Sequence, residues 1–149
     1  MEVLVTVVIL SIGLLGLAGL QLTGMRANLT AEAHSIATTM AYNMADLMRA
    51  NRAGVTSGAY NAIVGTETDP GCISTGCSTA QLAQYDAWKW NQTLGSTPSL
   101  PSGKGRVAGN SSTFTITVMW DESRTGATGT GCGTNLTVDL KCLTIQAQP

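Results

Sequence analysis

The sequence predicts an α+β fold in which one long N-terminal helix packs on a small antiparallel sheet of about three or four strands. Three observations predict it. An uncharged apolar run passes without a break into an amphipathic helical pattern. A shorter helix carries its own capping residues. Alternating apolar segments follow, separated by glycine-rich turns. A chain of 149 residues holds one domain and an appendage. The natural division is a membrane-span and stalk helix over residues 1–53 and a disulfide-containing α+β head over residues 54–149, packed on the second half of the helix.

The helix begins with VLVTVVILSIGLLGLAGL, Val3 to Leu20, which contains no charge. At about 1.5 Å per residue it covers most of a hydrocarbon core of about 30 Å. A removable secretory signal would start with basic residues and end at a small-residue cleavage site. Here no Lys or Arg precedes Arg26, and the helical pattern runs on past Leu20. The segment is therefore expected to be retained, with Met1 an internal methionine of a longer natural chain. Glu2 is the single ionisable group at the head of the block. A carboxylate there either meets a functional partner or sits at the lipid headgroup level. Gly13, Gly16 and Gly19 weaken the helix by about 1 kcal/mol each relative to Ala, and they permit close helix packing.

Beyond the span, Leu22, Met25, Leu29, Ala33, Ile36, Met40, Met44 and Leu47 recur at gaps of three and four and mark one helix face. Arg26, Asn28, Glu32, Asn43, Asp46 and Arg49 occupy the others, and Gly54 supplies a stop. His34 lies on this rod with no Cys or carboxylate at helical spacing, so it reads as a solvated or packing histidine.

In the head, residues 54–71 read as a polar surface connection. Ser78 and Gln81 form a Ser-x-x-Gln capping box, and Leu82, Tyr85, Trp88 and Leu94 line one face of a helix stopped by Gly95. Helical spacing assigns Trp88 to the core; Trp90 stands as the surface candidate for stacking a sugar or base. Pro98, Pro101, Gly103, Gly105 and Gly109 form a turn-rich link to the strand TFTITVMW, Thr113 to Trp120. After the Gly126–Gly133 loop, Leu136, Val138 and Leu140 alternate again, and Leu143 with Ile145 resume after a bulge or register change.

The four cysteines, Cys72, Cys77, Cys132 and Cys142, are an even set in a Gly/Thr/Ser-rich region. They read as disulfides formed in an oxidising compartment. Three pairings are possible, and the shortest loops, Cys72 with Cys77 and Cys132 with Cys142, are favoured. Their spacing fits zinc knuckles poorly, and His34 is remote. Asp121 and Glu122 before Gly126 lack the ligand spacing of a calcium loop and read as a solvated strand end. No phosphate cradle, nucleophile–base set or metal-binding His cluster occurs, so the reading is of a non-enzyme without cofactor or metal. The formal net charge of -1 with scattered basic residues gives no field for binding nucleic acid directly.

Five stretches carry a family resemblance: MEVLVTVVILSIGLLGLAGLQLTGMRANL at the start, AYNMADLMRANRAG (Ala41 to Gly54), AQYDAWKWNQTL (Ala83 to Leu94), LPSGKGRV (Leu100 to Val107) and TFTITVMWDE (Thr113 to Glu122). The chain resembles the type IV minor pilins, most closely the PilV group, entered at the fourth mature residue with the family's glutamate on Glu2. The resemblance implies a pilin-like fold and assembly as the function. A prepilin peptidase would cut the leader, the new N-terminus would be methylated, and Glu2 would neutralise a neighbouring subunit's terminal amine. The leader, cleavage glycine and first three mature residues do not appear here, and Gly19 stands where many pilins carry a stalk-breaking Pro. Implied partners are other minor pilins, the major pilin and the inner-membrane assembly machinery. The implied setting is the bacterial inner membrane, head in the periplasm, and then the extracellular pilus, where the subunit would prime assembly and influence adhesion and motility. The alternatives are a type II secretion pseudopilin and a membrane-anchored adhesin.

Overall fold

The computed structural model describes residues 2–110 and 112–149. Met1, on which the processing expectation turns, lies outside them. The chain forms two compact units, the first ending at Glu32 and the second spanning Ala33–Pro149. Helix α1 runs Glu2–Ala50. It is long because nothing in its 49 residues breaks it: the sequence there holds no Pro, and the hydroxyls of Thr6, Ser11, Thr23, Thr38 and Thr39 turn back onto the helix.

In the second unit α1 is followed by α2 (Arg52–Thr56), β1 (Ala62–Ile63), α3 (Thr79–Ser96), β2 (Lys104–Gly109), β3 (Phe114–Trp120) and β4 (Lys141–Ala147). The sheet is antiparallel in the order β1-β2-β3-β4. Its register sets Val107 opposite Ile116, and Ile116 opposite Ile145. Because side chains alternate along a strand, Phe114, Ile116, Val118 and Trp120 share one face with Val107, Leu143 and Ile145. That face packs with the buried α1 residues Ala33, Ala37, Ala41, Met44, Ala45 and Met48 and with Ala83, Ala87, Trp90 and Leu94 of α3 in one core. A smaller cluster of Met119, Ala127 and Leu140 sits with Cys132 and Cys142 on the other face.

The structure corrects several expectations. The buried seam of α1 is mostly alanine, with Ile36, Met40 and Leu47 only half-buried. Alanine shares that buried face with Met44 and Met48, and the other large side chains flank it. The link at residues 98–109 contains a strand, β2. Its glycines are there for space, since a Cβ at Gly105 would lie 2.1 Å from Trp90 Cζ3 and one at Gly109 2.3 Å from Phe114 Cδ1. The stretch 136–140 forms no strand; Asp139 makes a single bridge to Gly129 and regular pairing begins at Lys141. The connection after Gly54 contains α2 and β1, pinned by the buried Tyr60 and Ile63.

Helix α3 starts at its capping box: Ser78 Oγ accepts from Gln81 N, and Gln81 Oε1 accepts from Ser78 N. Its buried face is Ala83, Asp86, Ala87, Trp90 and Leu94, one step round from the face expected, leaving Leu82, Tyr85 and Trp88 half-buried.

Candidate functional site

Two features carry functional weight. The first is the opening half of α1, in the first unit. Val3, Leu15 and Leu20 are each more than 70% exposed, and the most apolar 18-residue window of α1 has a mean hydropathy of 2.7 with none of it covered. A helix with this length and composition can cross a membrane. Its hydroxyls do not oppose that: Thr6 Oγ1 donates to Val3 O at 2.8 Å, Ser11 Oγ to Val7 O at 2.7 Å and Thr23 Oγ1 to Gly19 O at 3.0 Å. Each of these three hydroxyls is satisfied within the helix, as an apolar surrounding requires. Glu2 opens the helix, exposed. A Cβ added at Gly13, Gly16 or Gly19 would meet nothing within 4 Å, so no contact within the described chain calls for glycine there.

The second is the set of polar groups that fix the head. Asn51 caps α2 by accepting from Gly54 N at 3.1 Å, and its Nδ2 donates to Thr79 O at 2.8 Å and to Tyr60 Oη at 3.2 Å. The Tyr60 hydroxyl in turn donates to Asp86 Oδ2. All three residues are buried. Burial pushes the Asp86 carboxyl above its usual range, and the Tyr60 hydrogen bond draws it partly back. Burial first, then the hydrogen bond to Asp86 and that carboxylate's charge, hold the Tyr60 phenol well above its usual value, against a smaller opposing effect from Asn51. This chain ties the end of α1 to the middle of α3, and sequence reasoning missed it. The available signal was an Asp sitting four residues before Trp90 on the side of α3 that also carries Ala83 and Ala87.

Trp90 is not at the surface. It is 2% exposed, and its Nε1 donates to Met40 O of α1 at 2.9 Å. The ring fills the space that Gly105 leaves between α3 and β2, so the surface-binding expectation for Trp90 is overturned. His34 has a partner after all: Nε2 lies 3.2 Å from Glu122 Oε1, and the imidazole meets the Trp120 ring edge-on at 5.0 Å. The contact is one of proximity: Glu122 Oε1 has no hydrogen-bond partner among the described residues. Asp121 is buried rather than solvated. Its carboxylate accepts from Thr125 N at 3.2 Å and Gly126 N at 2.7 Å. Burial alone would raise its pKa, but the backbone amides of the following loop outweigh it and hold the carboxyl below its usual range. Asp121 therefore staples its loop.

The cysteines pair as Cys72–Cys77, with Cα atoms 4.9 Å apart, and Cys132–Cys142, at 5.4 Å. The second bond stands beside Met119, whose strand neighbour is Cys142.

The family model Tt1218-like, described as Type IV pilin Tt1218, matches residues 19–88. The matched stretch runs from Gly19 through the rest of α1, α2 and β1 to the middle of α3, just under half of the chain. It supports a type IV pilin. No curated protein and no solved structure matches.

Proposed function

We propose that this chain is a structural subunit of a type IV pilus, a minor pilin resembling the PilV group, and that it works by assembly rather than catalysis. The observation that carries the reading is the opening half of α1: a continuous apolar helix, internally satisfied and uncovered, in a chain whose residues 19–88 are similar to a type IV pilin model. A surface of that kind is unfavourable in water, so it has to be covered by lipid or by other helices.

In this reading the helix first lies in the inner membrane as a single span, with the head in the periplasm, where the two disulfides form. It then leaves the bilayer for the filament, exchanging lipid for neighbouring helices. Glu2 meets the terminal amine of the adjacent subunit, which removes the cost of carrying a carboxylate into apolar surroundings. Gly13, Gly16 and Gly19 allow neighbouring helices to approach or let the span yield locally. A prepilin peptidase and the inner-membrane assembly machinery act on the subunit before it joins other minor pilins and the major pilin. As a minor subunit it helps to prime the filament and influences adhesion and motility.

The test is deletion of the gene together with photo-crosslinking from position 2 in intact cells. Fewer pili or weaker twitching, with pilin subunits captured at position 2, is the expected result. Normal piliation with lost protein secretion would replace this reading with a pseudopilin, and normal piliation with lost adhesion alone would replace it with an anchored binding head.

A further inference from the structure

A cleft of about 410 Å³ opens in the head where α3 meets the turn after β1 and the start of β2. Its wall carries Trp88 and Gln92 from α3, Glu67 from the turn and Lys104 from β2. Three properties set it apart from ordinary surface. Its floor is built backbone: Gly65 has φ +86°, and a Cβ at Gly103 would lie 2.4 Å from Leu94 O, so the chain there is fixed by close approach. Its aromatic ring is not needed by the core, since Trp90 fills that role while Trp88 stays half-exposed, tilted against Tyr85 at 5.6 Å. Its polar groups are either held in place or free to bind. Glu67 accepts from Val64 N at 2.8 Å and Gly65 N at 3.0 Å, which fixes the carboxylate in position with acceptor capacity to spare. The Gln92 amide and the Lys104 ammonium donate to no partner among the described residues.

We propose that this cleft binds a neutral, hydroxyl-rich ligand, an oligosaccharide, with one sugar ring laid against Trp88 and its hydroxyls met by Gln92, Glu67 and Lys104. A pyranose offers an apolar face bordered by hydroxyls that both donate and accept. The wall offers the complement: an aromatic face, an amide that does both, a fixed acceptor and a mobile donor. The charge balance selects against the competitors. Glu67 disfavours an anion and Lys104 a cation, with Lys89 Nζ, 5.9 Å from the Trp88 ring centroid, a second ammonium beside the aromatic wall; a neutral ligand meets the fixed acceptor and these donors without bringing a net charge of its own. The sequence expectation of a sugar-stacking tryptophan is thereby moved from the buried Trp90 to Trp88.

The test is saturation-transfer NMR on the full chain in amine-oxide micelles, chosen because maltoside and glucoside detergents would themselves compete. Chitotriose and maltotriose are the neutral probes; a heparin-derived disaccharide and a thymidine oligonucleotide are the charged ones. Transfer to ring protons of at least one neutral probe is expected, weakened at least about tenfold in affinity by Trp88→Ala and also reduced by Gln92→Ala. Trp88→Ala counts only if its thermal unfolding matches wild type; otherwise Gln92→Ala, at an exposed position, decides alone. Absence of transfer to both neutral probes, transfer unaffected by the substitutions, or binding of the charged probes alone would overturn the proposal. The cleft does not depend on the filament reading: sugar binding and piliation are scored separately, so either can fail without the other.

Discussion

Replacing Gly105 by Ala puts a single methyl group where the core of the head has no room for it. The added Cβ would lie 2.1 Å from Trp90 Cζ3, 2.3 Å from its Cη2 and 2.8 Å from Leu94 Cδ1. Relief requires that one side moves, and both sides are held. Trp90 is tied to Met40 O through Nε1, and Gly105 is paired with Val118 and donates its N–H to Asn91 Oδ1 at 2.7 Å. Overpacking costs about 1–3 kcal/mol when neighbours can adjust. With both neighbours pinned, about 3 kcal/mol is expected, a fall in melting temperature of roughly 10–15 °C for a head of this size. Trp90→Phe removes the edge of the ring that carries Cζ3 and Cη2, at its own cost of about 1–3 kcal/mol for lost contacts and the lost hydrogen bond. In that background Gly105→Ala should cost at least about 1 kcal/mol less. Thermal unfolding of the four proteins, followed by near-ultraviolet circular dichroism in detergent, measures the cycle. Additive effects within about 0.5 kcal/mol would show that the two residues do not share the space, and the account of β2 would fail.

Tyr60→Phe removes the donor that Asp86 uses while leaving the carboxyl buried, so a loss of about 1–3 kcal/mol is expected in chemical denaturation at neutral pH, a cost Tyr60→Phe/Asp86→Leu should partly recover. With Tyr60 intact, the phenol ionises more readily in the unfolded chain than in the folded one; its contribution is complete below about pH 10 and declines as the pH rises further, a decline that Tyr60→Phe should reduce. Asp121 has the opposite sign. Its folded carboxyl is the stronger acid, so its contribution is present above the ordinary aspartate value of about 3.9 and is lost as the pH falls through the lower folded value; Asp121→Asn should flatten the acid limb of a pH–stability curve. Opening Cys132–Cys142 by a double Ser substitution frees a loop of sequence separation 10 and should cost about 3 kcal/mol, against about 2 kcal/mol for Cys72–Cys77 at separation 5, measured by the same melts under non-reducing conditions.

What the sequence disclosed and what it hid divide by range. The unbroken α1, the Ser78–Gln81 capping box and the alternation of β3 each depend on neighbours a few residues away, and each was legible. The α+β class followed from them. Strand β2 was hidden because the signal that makes a strand recognisable, bulky alternating side chains, is replaced at Gly105 and Gly109 by space for Trp90 and Phe114. The same substitution of small for large hid part of the seam of α1, where Ala37, Ala41 and Ala45 are buried beside Met44 and Met48 while Ile36 and Met40 are only half-buried. His34 and Glu122, or Asn51, Tyr60 and Asp86, meet only after the chain has folded across long separations. Local spacing announces only that Asp86 lies on the apolar side of α3, not which residues it meets. The exchange of roles between Trp88 and Trp90 turns on a rotation of α3 by one buried position, which periodicity resolves poorly when Asp86 stands on the buried face.

Small residues do two different jobs along α1, and the difference bears on assembly. In the second unit the alanines are consumed by packing inside the chain. In the first, Gly13, Gly16 and Gly19 have open space where a Cβ would go. Three alanines there would raise helix propensity by roughly 3 kcal/mol in water, so their cost is unexplained unless a partner outside the chain, or a local unwinding of the helix, uses them. The two uses separate experimentally. Gly16→Ala leaves a small residue for close helix contact but stiffens the backbone; Gly16→Leu abolishes close contact as well. Head stability should be unchanged in both, because position 16 touches nothing in the described chain. If close packing is what matters, incorporation into sheared pilus fractions should survive Gly16→Ala and fall severalfold for Gly16→Leu; if unwinding is what matters, both should fall together. Incorporation at wild-type levels for both would remove Gly16 from the assembly mechanism.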